Sequence, residues 1–157
     1  KKCLRANILR FMPNSRNNIF LDANVLIAAA LSTGGGSFRL ITEAQQKGFL
    51  LFASAYVLDE TIKNLKEDYP DCLAKLKSLL LFSGLRILSN PLQKEVVKAM
   101  KLIDFKDAPV LAVTLQHKMD FLITLDRGHF FTQQLAVADL PCEILTPGDF
   151  IRKYLND

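Results

Sequence analysis

The fold class this sequence predicts is α/β: a three-layer α/β/α sandwich around a parallel sheet of about five strands. Two observations point there. Short apolar runs rich in β-branched and aromatic residues alternate with helical segments, and those runs lack the polar alternation of a half-exposed strand, as expected when helices cover both faces. A third is size: 157 residues, 50% of them hydrophobic, suffice for the core of one domain.

Taken in order, residues 1–18 carry Lys1, Lys2, Arg5, Arg10 and Arg16 around the turn-like "MPNSRNN" and read as a basic N-terminal arm. A single domain then spans 19–157. "IFL" (19–21) suits a buried strand, and "NVLIAAAL" (24–31) has the composition of a helix that "STGGGS" ends. Ser37 is placed to cap a helix through "FRLITEAQQKG", stopped by Gly48, and "FLLFA" (49–53) follows as the second strand.

Ser54 opens the next helix, "AYVLDETIKNLKED", which ends before Pro70; "DCLAKLKSLLLFS" (71–83) is helical and "LRIL" (85–88) is the third strand. "LQKEVVKAMKLI" (92–103) is helical again. In the helix of "DAPVLAVTLQHK", Pro109 is tolerable because it falls in the first turn. "FLITL" (121–125) and "CEIL" (142–145) complete the strands, and "TPGDFIRKYL" (146–155) closes the chain with Thr146 as cap and Pro147 at the first helical position.

The balance of 20 Lys+Arg against 16 Asp+Glu gives a net charge of +4, which mildly favours a polyanionic partner such as nucleic acid. Three widely spaced cysteines, Cys3, Cys72 and Cys142, argue against a disulfide framework and a structural zinc, and fit a reducing, cytoplasmic setting. No apolar run reaches the roughly 18 residues that a membrane span needs.

In a parallel α/β sheet ligands gather at the carboxyl ends of the strands. Asp22 directly follows "IFL" and Asp126 directly follows "FLITL", so both fall on that edge, whereas Asp120 falls on the opposite one. Asp107 opens a helix, where an Asp can serve as cap; yet it shares a face with Leu111 and Thr114, the buried side. Glu60 lies just past the apolar stripe of Leu58, Ile62 and Leu65.

Four carboxylates in one crevice cannot all stay ionised unaided, and a divalent cation resolves the conflict. All-oxygen ligation selects Mg²⁺ or Mn²⁺ over zinc. Such an ion at a carboxylate cluster on a basic chain suggests phosphodiester hydrolysis.

With these residues placed, the chain resembles a PIN domain, the nuclease family that includes the VapC toxins. "LDANVLIAAAL" is similar to the family's first motif, "SAYVLDETIKNL" to the second with its Glu, and "KDAPVLAVTLQHKMDFLITLDRGHF" to the third and fourth acids; "CEILTPGDFI" resembles the closing strand and helix. The resemblance runs from Asn18 to the C-terminus. It implies a metal-dependent endoribonuclease using Mg²⁺ or Mn²⁺, with Asp22, Glu60, Asp107 and Asp126 as catalytic and metal-holding acids. Asn24 and Thr124 match supporting positions.

Lys106 and Arg127, with Arg39 and Lys63 further off, are placed to hold an RNA backbone. If the chain is the toxin of a toxin–antitoxin pair, the resemblance also implies an antitoxin that occupies the acidic cleft, and a homodimer.

Two alternatives stay open. A haloacid-dehalogenase-like phosphatase also sets an Asp after the first strand, but wants a second Asp two residues on, where Asn24 stands. A nuclease-inactive RNA- or protein-binding module would keep the fold without the chemistry. His117 suits a helix end, and His129 falls in the "DRGHFF" loop whose phenylalanines pack on the core; Phe11, Phe130 and Phe131 are alternatively bases' stacking partners.

Overall fold

The computed structural model describes residues 16–156, so the arm residues 1–15, Phe11 and Cys3 among them, lie outside it. Within the described residues the apolar runs become strands β1 (Asn18–Leu21), β2 (Leu50–Ser54), β3 (Arg86–Leu88), β4 (Phe121–Ile123) and β5 (Glu143–Leu145). They form one sheet in the order β3-β2-β1-β4-β5, and all four pairings are parallel.

Burial grades across the sheet as that order demands. Ile19, Phe20 and Leu21 of β1 and Phe121, Leu122 and Ile123 of β4 are buried, whereas Arg86 and Ile87 of edge strand β3 are exposed. Strands covered on both faces have no use for alternation, which is why these runs read as continuous apolar blocks.

The helices are α1 (Ala23–Leu31), α2 (Gly36–Ala44), α3 (Ala55–Asp68), α4 (Leu73–Ser83), α5 (Gln93–Ala99), α6 (Ala108–Gln116), α7 (Arg127–Phe130), α8 (Gln133–Ala136) and α9 (Pro147–Phe150), whose last turn widens into a π segment over Ile151–Leu155. Their ends follow local chemistry. Ser54 accepts from the amide of Val57 at 3.2 Å, and Thr146 from that of Asp149 at 3.1 Å. Gly48 sits at φ 92°, in the left-handed region that a side chain disfavours, and ends the turn after α2.

Three local expectations are corrected. Ser37 does not cap α2: Gly35 holds that position without a side-chain bond, and Ser37 is buried inside the first turn. The helix expected over 92–103 stops at Ala99 and unwinds into turns, its end tied by Met100, Leu102 and Ile103 amides to carbonyls one turn back. The loop expected around "DRGHFF" instead winds into α7, and Phe131 is exposed while Phe130 is buried.

The two ends of the sheet differ in chemistry. At the amino end Phe49, Phe121, Phe150 and Tyr154 form a cluster of edge-on and tilted rings 4.9–6.4 Å apart. Asp120 there accepts from the amides of Asn17 and Asn18 at 3.0 and 2.9 Å, the turn role expected of it. Glu143 pairs with Lys153 and accepts from the Tyr154 hydroxyl at 2.7 Å. Among the described residues that end is thus filled by rings and paired charges.

No single helix among the described residues is long and apolar enough to cross a membrane.

Candidate active site

β2 follows β1 on one side of it and β4 lies on the other, so the order of strands reverses between β1 and β4. A crevice opens at the carboxyl ends of two such strands because their connections leave in opposite directions. Asp22 directly follows β1 and Asp126 lies three residues past the end of β4, so both fall at this edge of the sheet.

Asp22 is 6% exposed and serves as the N-cap of α1, accepting from the amide of Ala23 at 2.7 Å. Its other oxygen accepts from the Thr124 hydroxyl at 2.8 Å and from Asn24 Nδ2 at 3.2 Å. Burial pushes its carboxyl up to about 6; the bonds from Thr124 and Ala23 oppose that rise, and the charges of Glu60 and Asp107 add to it. Those last two influences are the sign that acids far apart in sequence share one field.

Thr124 and Asn24 hold this end of the sheet together. The Thr124 oxygen, fully buried, accepts from the amide of Asp126 at 3.1 Å and from Asn24 Nδ2 at 3.3 Å, while Asn24 Oδ1 accepts from the Leu125 amide at 3.0 Å. A chain of five hydrogen bonds thus ties the acid after β1 to the acid after β4.

Asp107 is the N-cap residue of α6 by position, yet its side chain accepts no capping bond. Asp104 takes the local turn role instead, accepting from the Lys106 amide at 3.0 Å. The Asp107 carboxylate therefore has no part in the cap of α6. Burial raises its pKa, with Asp126 and Asp104 adding, against the lowering influence of His129 and Lys106.

Glu60 projects from α3 and is exposed as a residue, but burial of its carboxyl and the charge of Asp107 both raise its pKa. Asp126 caps α7, accepting from the His129 amide at 3.1 Å.

Two neighbours were not expected from sequence. His129 turns back through that cap so that Nδ1 lies 2.7 Å from Asp126 Oδ2 and 3.3 Å from Asp107 Oδ2. Tyr56 lies one turn before Glu60, and its hydroxyl donates to the Lys106 carbonyl at 3.3 Å. Burial raises the pKa of that phenol, and Glu60, Asp107 and Asp22 raise it further. The i, i+4 spacing to Glu60 was a readable signal for Tyr56. For His129 the signal was the i, i+3 spacing to Asp126, which counts only once α7 is known to be helical.

Of the expected cations, Lys106 reaches the acids: its charge lowers the pKa of Asp107, and its Nζ lies 5.9 Å from the centre of the exposed Phe105 ring. Arg127 stands over Phe131 at 5.8 Å and acts on Asp149. Arg39 is engaged by Glu43 at 2.9 Å and Asn156 at 3.1 Å. Lys63 is exposed on α3.

His117 caps the C-terminus of α6 with its Nε2 buried and without a partner among the described residues.

A parallel α/β protein with its acids gathered at the switch point of the sheet is the class that fold and site define. Residues 18–128 match the PIN domain family model, and the chain belongs to that family. No curated protein matches it.

Among solved structures it is similar to VapC20 of Mycobacterium tuberculosis, described as a Sarcin-Ricin loop cleaving toxin, with 17% identity and a TM-score of 0.55 over 78% of this chain and 95% of that one. It is also similar to PAE2754 of Pyrobaculum aerophilum, with 19% identity and a TM-score of 0.59 over 92% and 94% of the two chains. At those identities the likeness is one of fold.

The donor set fits the divalent cation that the resemblance implies. One ligand atom from each of Asp107, Asp126 and His129 lies within 4.8 Å of the others, close enough for one ion to bridge. Asp22 and Glu60 stand outside that trio, and the charge of Asp107 raises the pKa of both.

Proposed function

We propose that this chain is a metal-dependent endoribonuclease that hydrolyses RNA phosphodiester bonds at the carboxyl end of its sheet. The observation that carries the proposal is the gathering of acids: Asp22 is buried and feels the charges of Glu60 and Asp107, with its hydrogen bonds offsetting only part of the cost, and Asp107 and Asp126 bring ligand oxygens within 4.8 Å of each other. A crevice that holds several carboxylates at such expense is built for a cation.

Asp22, Asp107 and Asp126 would hold the ion, with Glu60 at the rim directly or through water. When bound, Mg²⁺ or Mn²⁺ supplies a water of lowered pKa and steadies the charge that grows on the phosphate oxygens. Asn24 and Thr124 fix the Asp22 carboxylate and the Asp126 backbone. Lys106, with Arg127 beyond it, supplies positive charge along the path of a phosphate backbone. The choice of RNA is supported by a protein of this fold whose description names it a Sarcin-Ricin loop cleaving toxin. For a toxin role, the resemblance of the motifs to the family that includes the VapC toxins implies an antitoxin that seats a basic side chain among the acids.

The test is cleavage of a labelled RNA with Mg²⁺ or Mn²⁺, with EDTA, and with Asp22→Asn and Asp126→Asn. Cleavage that needs the ion and vanishes in both variants is expected. Undiminished activity in EDTA, or in either variant, would refute the scheme. Hydrolysis of a small phosphomonoester with no action on RNA would favour the phosphatase alternative.

A further inference from the structure

The reading from sequence gave the crevice oxygen ligands alone. In the structure a nitrogen joins them, and it arrives by a route that leaves little freedom. Asp126 caps α7 through one oxygen, accepting from the His129 amide at 3.1 Å. That bond fixes the backbone of His129 in the first turn of the helix. The imidazole then lies over the second oxygen of Asp126, with Nδ1 at 2.7 Å.

A ring placed only by its own cap would end its contacts there. This one also reaches Asp107, on a different helix, at 3.3 Å. Asp107 in turn withholds its carboxylate from α6, the helix it begins. Two carboxylate oxygens and one imidazole nitrogen therefore converge within 4.8 Å of one another.

We infer that His129 is a ligand of the cation, through Nδ1, so that an imidazole joins the carboxylates and the site prefers Mn²⁺ to Mg²⁺. Imidazole is a borderline donor. It adds affinity for transition ions in the order of their intrinsic preference for nitrogen and adds little for Mg²⁺, which favours oxygen and keeps its waters. Asp22 Oδ1 accepts one hydrogen bond, from Ala23, and Oδ2 two, from Asn24 and Thr124, so Asp22 keeps a lone pair for the ion and the nitrogen of His129 adds to its share.

The inference rests on the proposal that the acids hold a cation, and its test separates the two. Mn²⁺ is the probe, because its unpaired electrons report directly bound nitrogen. Pulsed electron paramagnetic resonance on the wild-type protein loaded with Mn²⁺ should show a nitrogen coupling that changes when histidine is labelled with ¹⁵N. Calorimetric titration with Mn²⁺ and with Mg²⁺ should show tighter Mn²⁺ binding. In His129→Ala the coupling should disappear and Mn²⁺ affinity should fall at least about tenfold, the scale seen when even outer partners of a metal site are lost. Mg²⁺ affinity should change much less.

The capping bond uses the His129 backbone amide, so the variant keeps it, and circular dichroism checks that the fold is retained. Tight Mn²⁺ binding without nitrogen coupling would mean that the ring serves only as a counter-charge that the ion displaces; that overturns the inference and leaves the carboxylate site standing. Absence of Mn²⁺ and Mg²⁺ binding at millimolar concentration overturns both.

Discussion

At the scale of single residues the site is governed by the expense of Asp22. Its folded pKa of about 6 lies above the 3.8 of an exposed Asp, so the folded state holds the proton more tightly than the unfolded chain. Its contribution to stability is fully present below about pH 3.8 and is lost as pH rises through 6, a difference of about 3 kcal/mol in the metal-free protein. Asp22→Asn removes that dependence. Urea unfolding in EDTA should show the variant gaining on wild type as pH rises from 4 to 7.5; a constant difference would contradict the buried, unrelieved carboxylate.

Thr124 is the other residue on which this end depends. Thr124→Val keeps the shape but leaves Asp22 one donor short and the Asp126 amide without its acceptor. We expect a loss of about 1–3 kcal/mol in stability, and a fall of roughly tenfold to a hundredfold in activity, as when outer partners of a metal ligand are removed. Denaturant titration and RNA cleavage rates measure the two.

At the scale of elements, the acids at the carboxyl end of the sheet differ in whether they also cap a helix. Asp126 and Asp22 cap α7 and α1, whereas Asp107 begins α6 without capping it. Asn caps about as well as Asp, so Asp126→Asn should lose RNA cleavage while stability stays within about 0.5 kcal/mol of wild type. Asp126→Ala should lose cleavage and about 1 kcal/mol besides. Thermal unfolding of the pair distinguishes a functional acid from a structural one.

The same logic explains what could be read in advance. The strands, the caps Ser54 and Thr146, and the first-turn prolines were legible because local sterics and donors decide them. Ser37 does not cap because the glycines let the chain begin α2 two residues earlier, with Gly35 at the cap position. The short helix α7 was missed because four residues carry too little periodicity to register, and with it went the position of His129.

For the whole molecule, the two ends of the sheet divide stability from chemistry. The aromatic cluster of Phe49, Phe121, Phe150 and Tyr154 and the Glu143 pairings close the amino end. Phe150→Ala should cost about 3–5 kcal/mol while leaving affinity for a cation unchanged. A saturating divalent cation should act from the other end, raising stability by about 2.7 kcal/mol at a hundred times its dissociation constant, and this gain should vanish in Asp107→Asn. Thermal shift with and without Mn²⁺ tests both.

By itself the sequence determined the layered parallel fold, the ordered acids and their supports Asn24 and Thr124, because apolar blocks buried on both faces and an acid after a strand are local patterns. Only the tertiary structure decided which side chains meet. It released Asp107 from its cap, set Tyr56 beside Glu60 and brought His129 between two carboxylates. The approach of His129 to Asp107 joins two elements distant along the chain, and no local rule carries the distance from one helix to the next.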